Sequence, residues 1–153
     1  RHTPSGWRFA AEIGPFARLR RTMLDDSGRN VVIHYRIGPG GPGATLVSVY
    51  ISVDRGVPLA AEFDATTTEI IRRYPDSAEI ARGTARIGGF DGYRAALALP
   101  AAADRPARHT SLAAFARGRT IARFRATYPA GEAAKRAPAV AALIRAVLGA
   151  APP

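Results

Sequence analysis

Arginines occupy four of the five alternate positions in the segment 117–125, and this spacing on a strand indicates an anionic partner. The alternating residues are Arg117, Arg119, Ile121, Arg123 and Arg125. Because side chains alternate between the two faces of a strand, we expect the four arginines to project from one face of a sheet. A guanidinium group is suited to bidentate contact with carboxylate or phosphate. The segment therefore predicts a basic strip that binds an anionic partner, in another molecule or among the protein's own carboxylates.

Further candidates for this basic surface lie on other predicted strands. Arg18 and Arg20 are expected to share one face of an early strand, and Arg82 and Arg86 one face of a later strand. Tyr50 and His34 are additional candidates for partner binding. The competing interpretation is that carboxylates pair with the arginines and leave a surface lattice that contributes little to stability. Those carboxylates are Glu62, Asp64 and Glu69 of the predicted helix, and Glu79 beyond its end.

Signatures of catalysis or metal binding do not appear in the sequence. There is no cysteine, and the three histidines, His2, His34 and His109, are widely separated. No serine lies in a nucleophile elbow. The glycine-rich loop 38–43 precedes a strand instead of the helix that a phosphate-binding loop requires, so it predicts a hairpin connection. We predict no catalytic residue, no metal site and no cofactor.

Length and composition indicate a single domain covering residues 1–153. The 153 residues are 47% hydrophobic, which is enough to bury a core, and no apolar run is long enough to span a membrane. The net charge is +10, but Lys135 is the only lysine among 22 basic residues and the arginines are scattered. Few aromatic residues accompany them as stacking platforms. Specific binding of nucleic acid is therefore not expected.

The sequence starts at Arg1 without a methionine, which suggests that a preceding segment has been removed. We expect an exported bacterial protein, periplasmic or extracellular, with or without a lipid anchor on that segment. A cytoplasmic location stays open, as do the identity of the partner and the oligomeric state.

The predicted elements begin with an extended arm over residues 1–15, anchored by Trp7. Alternating apolar residues predict three strands, a helical period follows, four more strands come next, and an alanine-rich helix ends the chain. The predicted strands are 16–23, 31–37, 44–53, 80–87, 93–99, 108–116 and 119–128, and the predicted helices are 58–74 and 131–148.

This order predicts an α+β fold. Hairpin connections favour a largely antiparallel sheet of six to seven strands, and the helices are expected to pack on its two faces as an α/β/α sandwich. The expected element order is βββ-α-ββββ-α.

Three phrases in the sequence carry a resemblance to a known family: Pro4-Ser5-Gly6-Trp7, the segment from Ile87 to Tyr93, and the segment from Arg119 to Pro129. With the element order, they resemble the PsbP-like superfamily, which includes photosystem accessory proteins, Ran-binding Mog proteins and exported bacterial domains. The resemblance implies an antiparallel sheet sandwiched by helices and a binding or assembly role without enzymatic activity. It supplies no catalytic residues and no particular partner.

Three hypotheses for the function follow from these patterns. The first is a non-enzymatic accessory domain of the cell envelope that binds a protein or an anionic component through Arg119, Arg123 and Arg125. The second is a carrier of a small molecule or lipid with a pocket between sheet and helix, lined by Tyr35, Tyr93 and Phe115. The third is an enzyme of unrecognised type, which requires His34, His109 or a carboxylate in a cleft.

Overall fold

The protein is built around one antiparallel sheet. The computed structural model describes residues 2, 4–53 and 56–151. Within these residues the strands are β1 (Glu12–Ile13), β2 (Phe16–Met23), β3 (Asn30–Ile37), β4 (Thr45–Val53), β5 (Ala78–Ile87), β6 (Phe90–Leu99), β7 (Arg108–Arg117) and β8 (Thr120–Pro129). The helices are α1 (Leu59–Arg73) and α2 (Ala133–Gly149), with a 3₁₀ turn at Ala130–Glu132 before α2.

The predicted strand number and element order are wrong. The sheet has eight strands instead of six to seven, and the order is ββββ-α-ββββ-α. The additional strand is β1, which lies within the segment predicted as an extended arm. It pairs only Glu12 with Ala17 and Ile13 with Phe16. A strand of two residues is too short to show an alternating pattern, so periodicity could not predict it.

Two antiparallel meanders join in the middle of the sheet. The strand order is β1-β2-β3-β4-β8-β7-β6-β5, so β4 from the first meander pairs with β8 from the second. This pairing runs without a break from Leu46 opposite Thr127 to Val53 opposite Thr120. The connection through α1 therefore leads from the central strand β4 to the far edge strand β5.

One face of the sheet packs against α2 and the N-terminal arm. Alternate residues of β3, β4 and β8 are buried there beneath Val140, Leu143 and Val147 of α2. Trp7 is buried in the same core, and its ring meets that of Phe90 edge-on at 6.1 Å, so the predicted anchor is confirmed. Within the described chain, neither helix has the length and apolar character needed to cross a membrane.

The opposite face is covered by a helix over part of its width. Phe63 and Ile70 of α1 pack on Leu97 of β6 and on Leu112 and Ala114 of β7. The helix borders β8 and leaves β2, β3 and β4 on this side without a helix in the described structure. We call the α1-side surface of β2, β3, β4 and β8 the open face.

The close approach of β6 and β7 at Gly92 generates a first prediction. A Cβ atom at Gly92 would lie 2.2 Å from the carbonyl oxygen of Ala114 and 2.5 Å from Cδ1 of Phe115. Since neither backbone nor buried ring can move freely, Gly92→Ala should lower the free energy of unfolding by about 2–3 kcal/mol, as overpacked cores do. Urea unfolding measures the loss.

The matched control is Gly83→Ala in the edge strand β5, where an added Cβ meets nothing within 4 Å. We expect this change to alter stability by less than about 0.5 kcal/mol. Equal effects of the two substitutions would contradict the close packing at Gly92.

Burial of His2 generates a prediction of pH dependence. Its Nε2 donates to the carbonyl of Gly28 at 2.5 Å, and Nδ1 lies 2.6 Å from the Ser5 hydroxyl. Burial lowers the pKa of His2 below its usual value, with Arg21 adding to the effect. The unfolded chain therefore binds a proton more readily than the folded one below about pH 6.5, and stability should fall as the pH drops through this value.

The measurement is the melting temperature of the wild type and of His2→Gln between about pH 7.5 and about pH 5. His34 also has a lowered pKa, so the variant should show a smaller decline instead of none. An unchanged decline in His2→Gln would show that His2 titrates as freely in the folded chain as in the unfolded one.

Candidate anion-binding face

Four polar residues form a row across neighbouring strands of the open face. In the strand register, Arg20 of β2 lies opposite His34 of β3, His34 opposite Ser48 of β4, and Ser48 opposite Arg125 of β8. We call these four residues the cross-strand row. With strands about 4.8 Å apart, the row extends over about 14 Å. The fold therefore brings together three residues predicted from separate segments, Arg20, His34 and Arg125.

The strip of four arginines predicted for the segment 117–125 does not form. Arg117 is the last residue of β7, and Arg119 follows Gly118 in a tight turn, where the φ of +56° suits glycine. Arg117 pairs with Thr120 across this turn. The guanidinium of Arg117 lies 5.4 Å from the ring centre of Phe90 in the core on the α2 side. Arg119 precedes β8. Because the chain reverses direction here, the alternation does not continue through the turn, and only Arg123 and Arg125 share the open face.

Arg18 and Arg20 are also separated. A bulge shifts the register of β2 between these residues, so that Arg18 lies opposite Tyr35 and Arg20 opposite His34. Successive residues of β3 point to opposite faces, so the two arginines do as well. The Nη1 atom of Arg18 donates to the carbonyl of Phe9 at 2.6 Å, which ties the N-terminal arm to β2.

The predicted pairing of arginines with helix carboxylates occurs in part. Arg123 lies 3.1 Å from the carboxylate of Glu62 in the first turn of α1, and its guanidinium is 5.3 Å from the ring centre of Tyr50. Glu62 is buried, so this ion pair is shielded from water. Arg82 pairs with Asp64 at 2.7 Å and with Glu79 at 2.9 Å on the surface. Helix α1 thus neutralises some of the arginines.

Arg125 differs from Arg123 in its surroundings. Its side chain is half-buried and forms no hydrogen bond or ion pair with any residue that the structure describes. Arg20, at the other end of the cross-strand row, is exposed and likewise without such a partner in residues 4–53 and 56–151. The row therefore carries two positive charges that its own protein leaves available.

Two pockets meet at Arg125 and Tyr50. One has a volume of about 190 Å³ and lies between α1 and strands β7 and β8. The other, of about 250 Å³, lies near the C-terminal end of α1 and is lined by Leu46, Ser48, Tyr50, Tyr74, Leu99, Arg105, Arg108, Arg125 and Thr127. Together they make a groove along the border between α1 and the open face.

His34 and Ser48 form a hydrogen-bonded pair within the cross-strand row. The Nδ1 atom of His34 lies 3.0 Å from the Ser48 hydroxyl. Burial, and then the charge of Arg20, lower the pKa of His34. The imidazole is therefore neutral near pH 7. A serine and a histidine acting as nucleophile and base need a third group to orient the base, and no described residue supplies one. The pair is better suited to holding a ligand by hydrogen bonds.

Tyr35, Tyr93 and Phe115, which were predicted to line one carrier pocket, do not meet. Tyr35 and Phe115 are fully buried in the core on the α2 side, where the Tyr35 hydroxyl donates to the carbonyl of Ala10. Tyr93 lies on the opposite face, with its ring stacked on Phe63 of α1 at 5.8 Å. Tyr93 lies opposite Ala114, the neighbour of Phe115, so Tyr93 and Phe115 point to opposite faces of the sheet. The sequence alone does not show which strands are neighbours, and therefore does not show which residues share a face.

Sequence reasoning missed Arg105 and Arg108 at the groove. Arg108 and Leu112 are four residues apart on β7, so strand alternation places both on the same face. The alternation therefore identifies Arg108 as a groove residue once Leu112 is known to face α1. Arg105 lies in the loop before β7 and carries no periodic signal. Ser48 was not predicted as a site residue, and its register position places it between His34 and Arg125.

Comparison with solved structures shows a shared fold. A protein of unknown function and putative regulator from Pseudomonas aeruginosa is similar at a TM-score of 0.57 and 12% identity, over 74% of this chain and 79% of that chain. Cyanobacterial PsbP from Synechocystis is similar at a TM-score of 0.48 and 11% identity, over 96% of this chain and 97% of that chain. No protein-family model and no curated protein matches the sequence.

The likeness to the Pseudomonas protein shows the fold alone, since folds of this kind carry unrelated functions. The likeness to cyanobacterial PsbP is weaker and supports no argument about function. Membership of the PsbP-like superfamily stays a prediction.

The buried pair between Glu62 and Arg123 generates a prediction of stability. Glu62→Gln leaves a mostly buried guanidinium without its carboxylate, and the free energy of unfolding should fall by about 1–3 kcal/mol, less than for a fully buried pair because Arg123 keeps some contact with water. Chemical denaturation measures the change.

The control is Asp64→Asn, which removes a carboxylate from an exposed pair with Arg82 on the same helix. Its cost should be below about 1 kcal/mol. A larger loss for Asp64→Asn than for Glu62→Gln would contradict the shielding of Glu62.

Proposed function

We propose that this protein is a non-enzymatic binding domain whose open face engages a partner that presents anionic groups. The observation that carries the proposal is the cross-strand row, in which Arg20 and Arg125 flank His34 and Ser48. The backbones of the two arginine residues stand about 14 Å apart, across three strand spacings. Their side chains have no carboxylate partner in the described structure.

The spacing of the row favours an extended acidic segment over a single small anion. Alternate side chains of an extended chain are about 7 Å apart, so carboxylates four residues apart reach both arginines. The neutral imidazole of His34 and the hydroxyl of Ser48 supply hydrogen bonds between the two charges. The partner is a protein or another component of the cell envelope that carries such a segment. This proposal includes export of the domain to the cell envelope or beyond it.

The carrier hypothesis has less support from the geometry. The residues predicted for its pocket lie on two faces, and the pocket between α1 and the sheet measures about 190 Å³. Pockets for drug-sized ligands are usually about 300–1,000 Å³, so a pocket of this volume is too small for such a ligand or for a lipid. No observation favours an enzyme, because His34 on the open face pairs with Ser48 without an orienting carboxylate among the described residues.

Binding of two anionic probes tests the proposal. The probes are polyglutamate, as an acidic segment, and vesicles containing phosphatidylglycerol. Wild-type protein should bind at least one probe saturably, and binding should weaken with salt, because exposed charges are screened beyond about 8–10 Å near physiological ionic strength. Charge-assisted hydrogen bonds contribute about 1.5–3 kcal/mol each, so Arg20→Ala with Arg125→Ala should weaken binding by about tenfold or more.

The matched control is Arg8→Ala with Arg145→Ala. Both residues are exposed, Arg145 lies on α2 across the sheet, and the double change removes the same net charge. This variant should bind as the wild type does. The proposal is wrong if the two double variants lose binding equally, or if the wild type binds neither probe.

A further inference from the structure

Three arginines converge on the 250 Å³ pocket near the end of α1. Arg105, Arg108 and Arg125 line it, together with Ser48, Thr127 and two tyrosines, and its lining contains no acidic residue. We call this the three-arginine pocket. The arginines come from the loop before β7, from β7 and from β8, so tertiary structure alone assembles them.

Two of the guanidinium groups are held in place by the protein. The Nη2 atom of Arg108 donates to the carbonyl oxygens of Pro42 at 3.0 Å and Ala44 at 3.3 Å. The guanidinium of Arg105 lies 4.7 Å from the ring centre of Tyr74 at the end of α1. Fixed donors lose little conformational freedom when a ligand binds, so this arrangement favours binding.

Hydrogen-bonding capacity remains unused in this pocket. The Nε atoms of Arg105 and Arg108 are buried and have no hydrogen-bond partner within the described structure. None of the three arginines forms an ion pair with a described carboxylate. Buried donors that lack a partner are costly, and three positive charges at one pocket repel each other. An anion that enters the pocket offsets this repulsion.

We propose that the three-arginine pocket binds a phosphate monoester. A phosphate monoester carries nearly two negative charges near pH 7 and several acceptor oxygens, which match three guanidinium groups better than the single charge of a carboxylate. The apolar side chains of Leu46, Leu99 and Tyr74 line the same pocket and contact the organic part of the ligand. The inference shares Arg125 with the proposed open-face function and rests on it in that respect.

Calorimetric titration with phenyl phosphate, inorganic phosphate and benzoate tests the pocket. Phenyl phosphate should bind saturably and more tightly than benzoate, which has the same ring and one charge. It should also bind more tightly than inorganic phosphate, which has no organic part. Arg105→Ala with Arg108→Ala should weaken phenyl phosphate binding by at least about tenfold. Arg8→Ala with Arg145→Ala should bind as the wild type does.

A second variant is needed because the double alanine variant could lose binding simply by failing to fold. Arg105→Lys with Arg108→Lys keeps the charge and removes the planar, forked donors. With a melting temperature close to that of the wild type, it should still bind phenyl phosphate several-fold more weakly. Wild-type affinity in this variant would contradict the proposal that the pocket binds a phosphate monoester. Absence of saturable phenyl phosphate binding in the wild type would also contradict it.

Arg20→Ala separates this inference from the proposed function, because Arg20 does not line the pocket. The variant should keep phenyl phosphate binding and bind polyglutamate more weakly than the wild type. If polyglutamate binding depends on Arg20 and phenyl phosphate does not bind, the proposed phosphate site is wrong and the open-face proposal stays in place. Phenyl phosphate binding without binding to either polyanionic probe supports the pocket and removes the open-face function.

Discussion

The pairing of β4 with β8 is the constraint on which the rest of this structure depends. It joins two meanders that are separate in the sequence into one sheet of eight strands. Ser48 comes to lie opposite Arg125, and Tyr50 opposite Arg123, only because this pairing has its observed register. A shift of one residue would turn every side chain of β8 to the other face and bury the arginines in the core. The candidate site is thus a consequence of the central strand pair.

The path of α1 decides which arginines remain available. The helix crosses from the centre of the sheet to β5 and packs on β6 and β7. Glu62 in its first turn pairs with Arg123, and Asp64 pairs with Arg82. Arg125 lies further along the same border, beyond the reach of these carboxylates, and Arg105 and Arg108 lie at the other end of the helix. One helix therefore neutralises part of a basic surface and forms the wall of a groove beside the rest.

Much of the fold could be predicted from local periodicity, but the site could be predicted only in part. Apolar alternation located β3 and β4, and a helical period located α1, because both signals are contained within one segment. The alternation was extended wrongly through the Arg117-Gly118 turn, where the chain reverses, and through the bulge between Arg18 and Arg20. Strand order and register arise from contacts between distant segments. For this reason Tyr35 and Tyr93 were assigned to one pocket although they lie on opposite faces, and Arg105 was not recognised.

We propose that anions bind on the α1 side of the sheet, at arginines that have no carboxylate partner in the described structure. The most direct measurement is an NMR titration that follows the Nε–Hε signals of the assigned arginines as phenyl phosphate and then polyglutamate are added. We expect Arg125 to respond to both ligands, Arg105 and Arg108 to phenyl phosphate, and Arg20 to polyglutamate, while Arg145 on α2 stays unchanged. Equal shifts at Arg145 and Arg125 would show unspecific attraction to a basic protein and would contradict binding at the open face and at the three-arginine pocket.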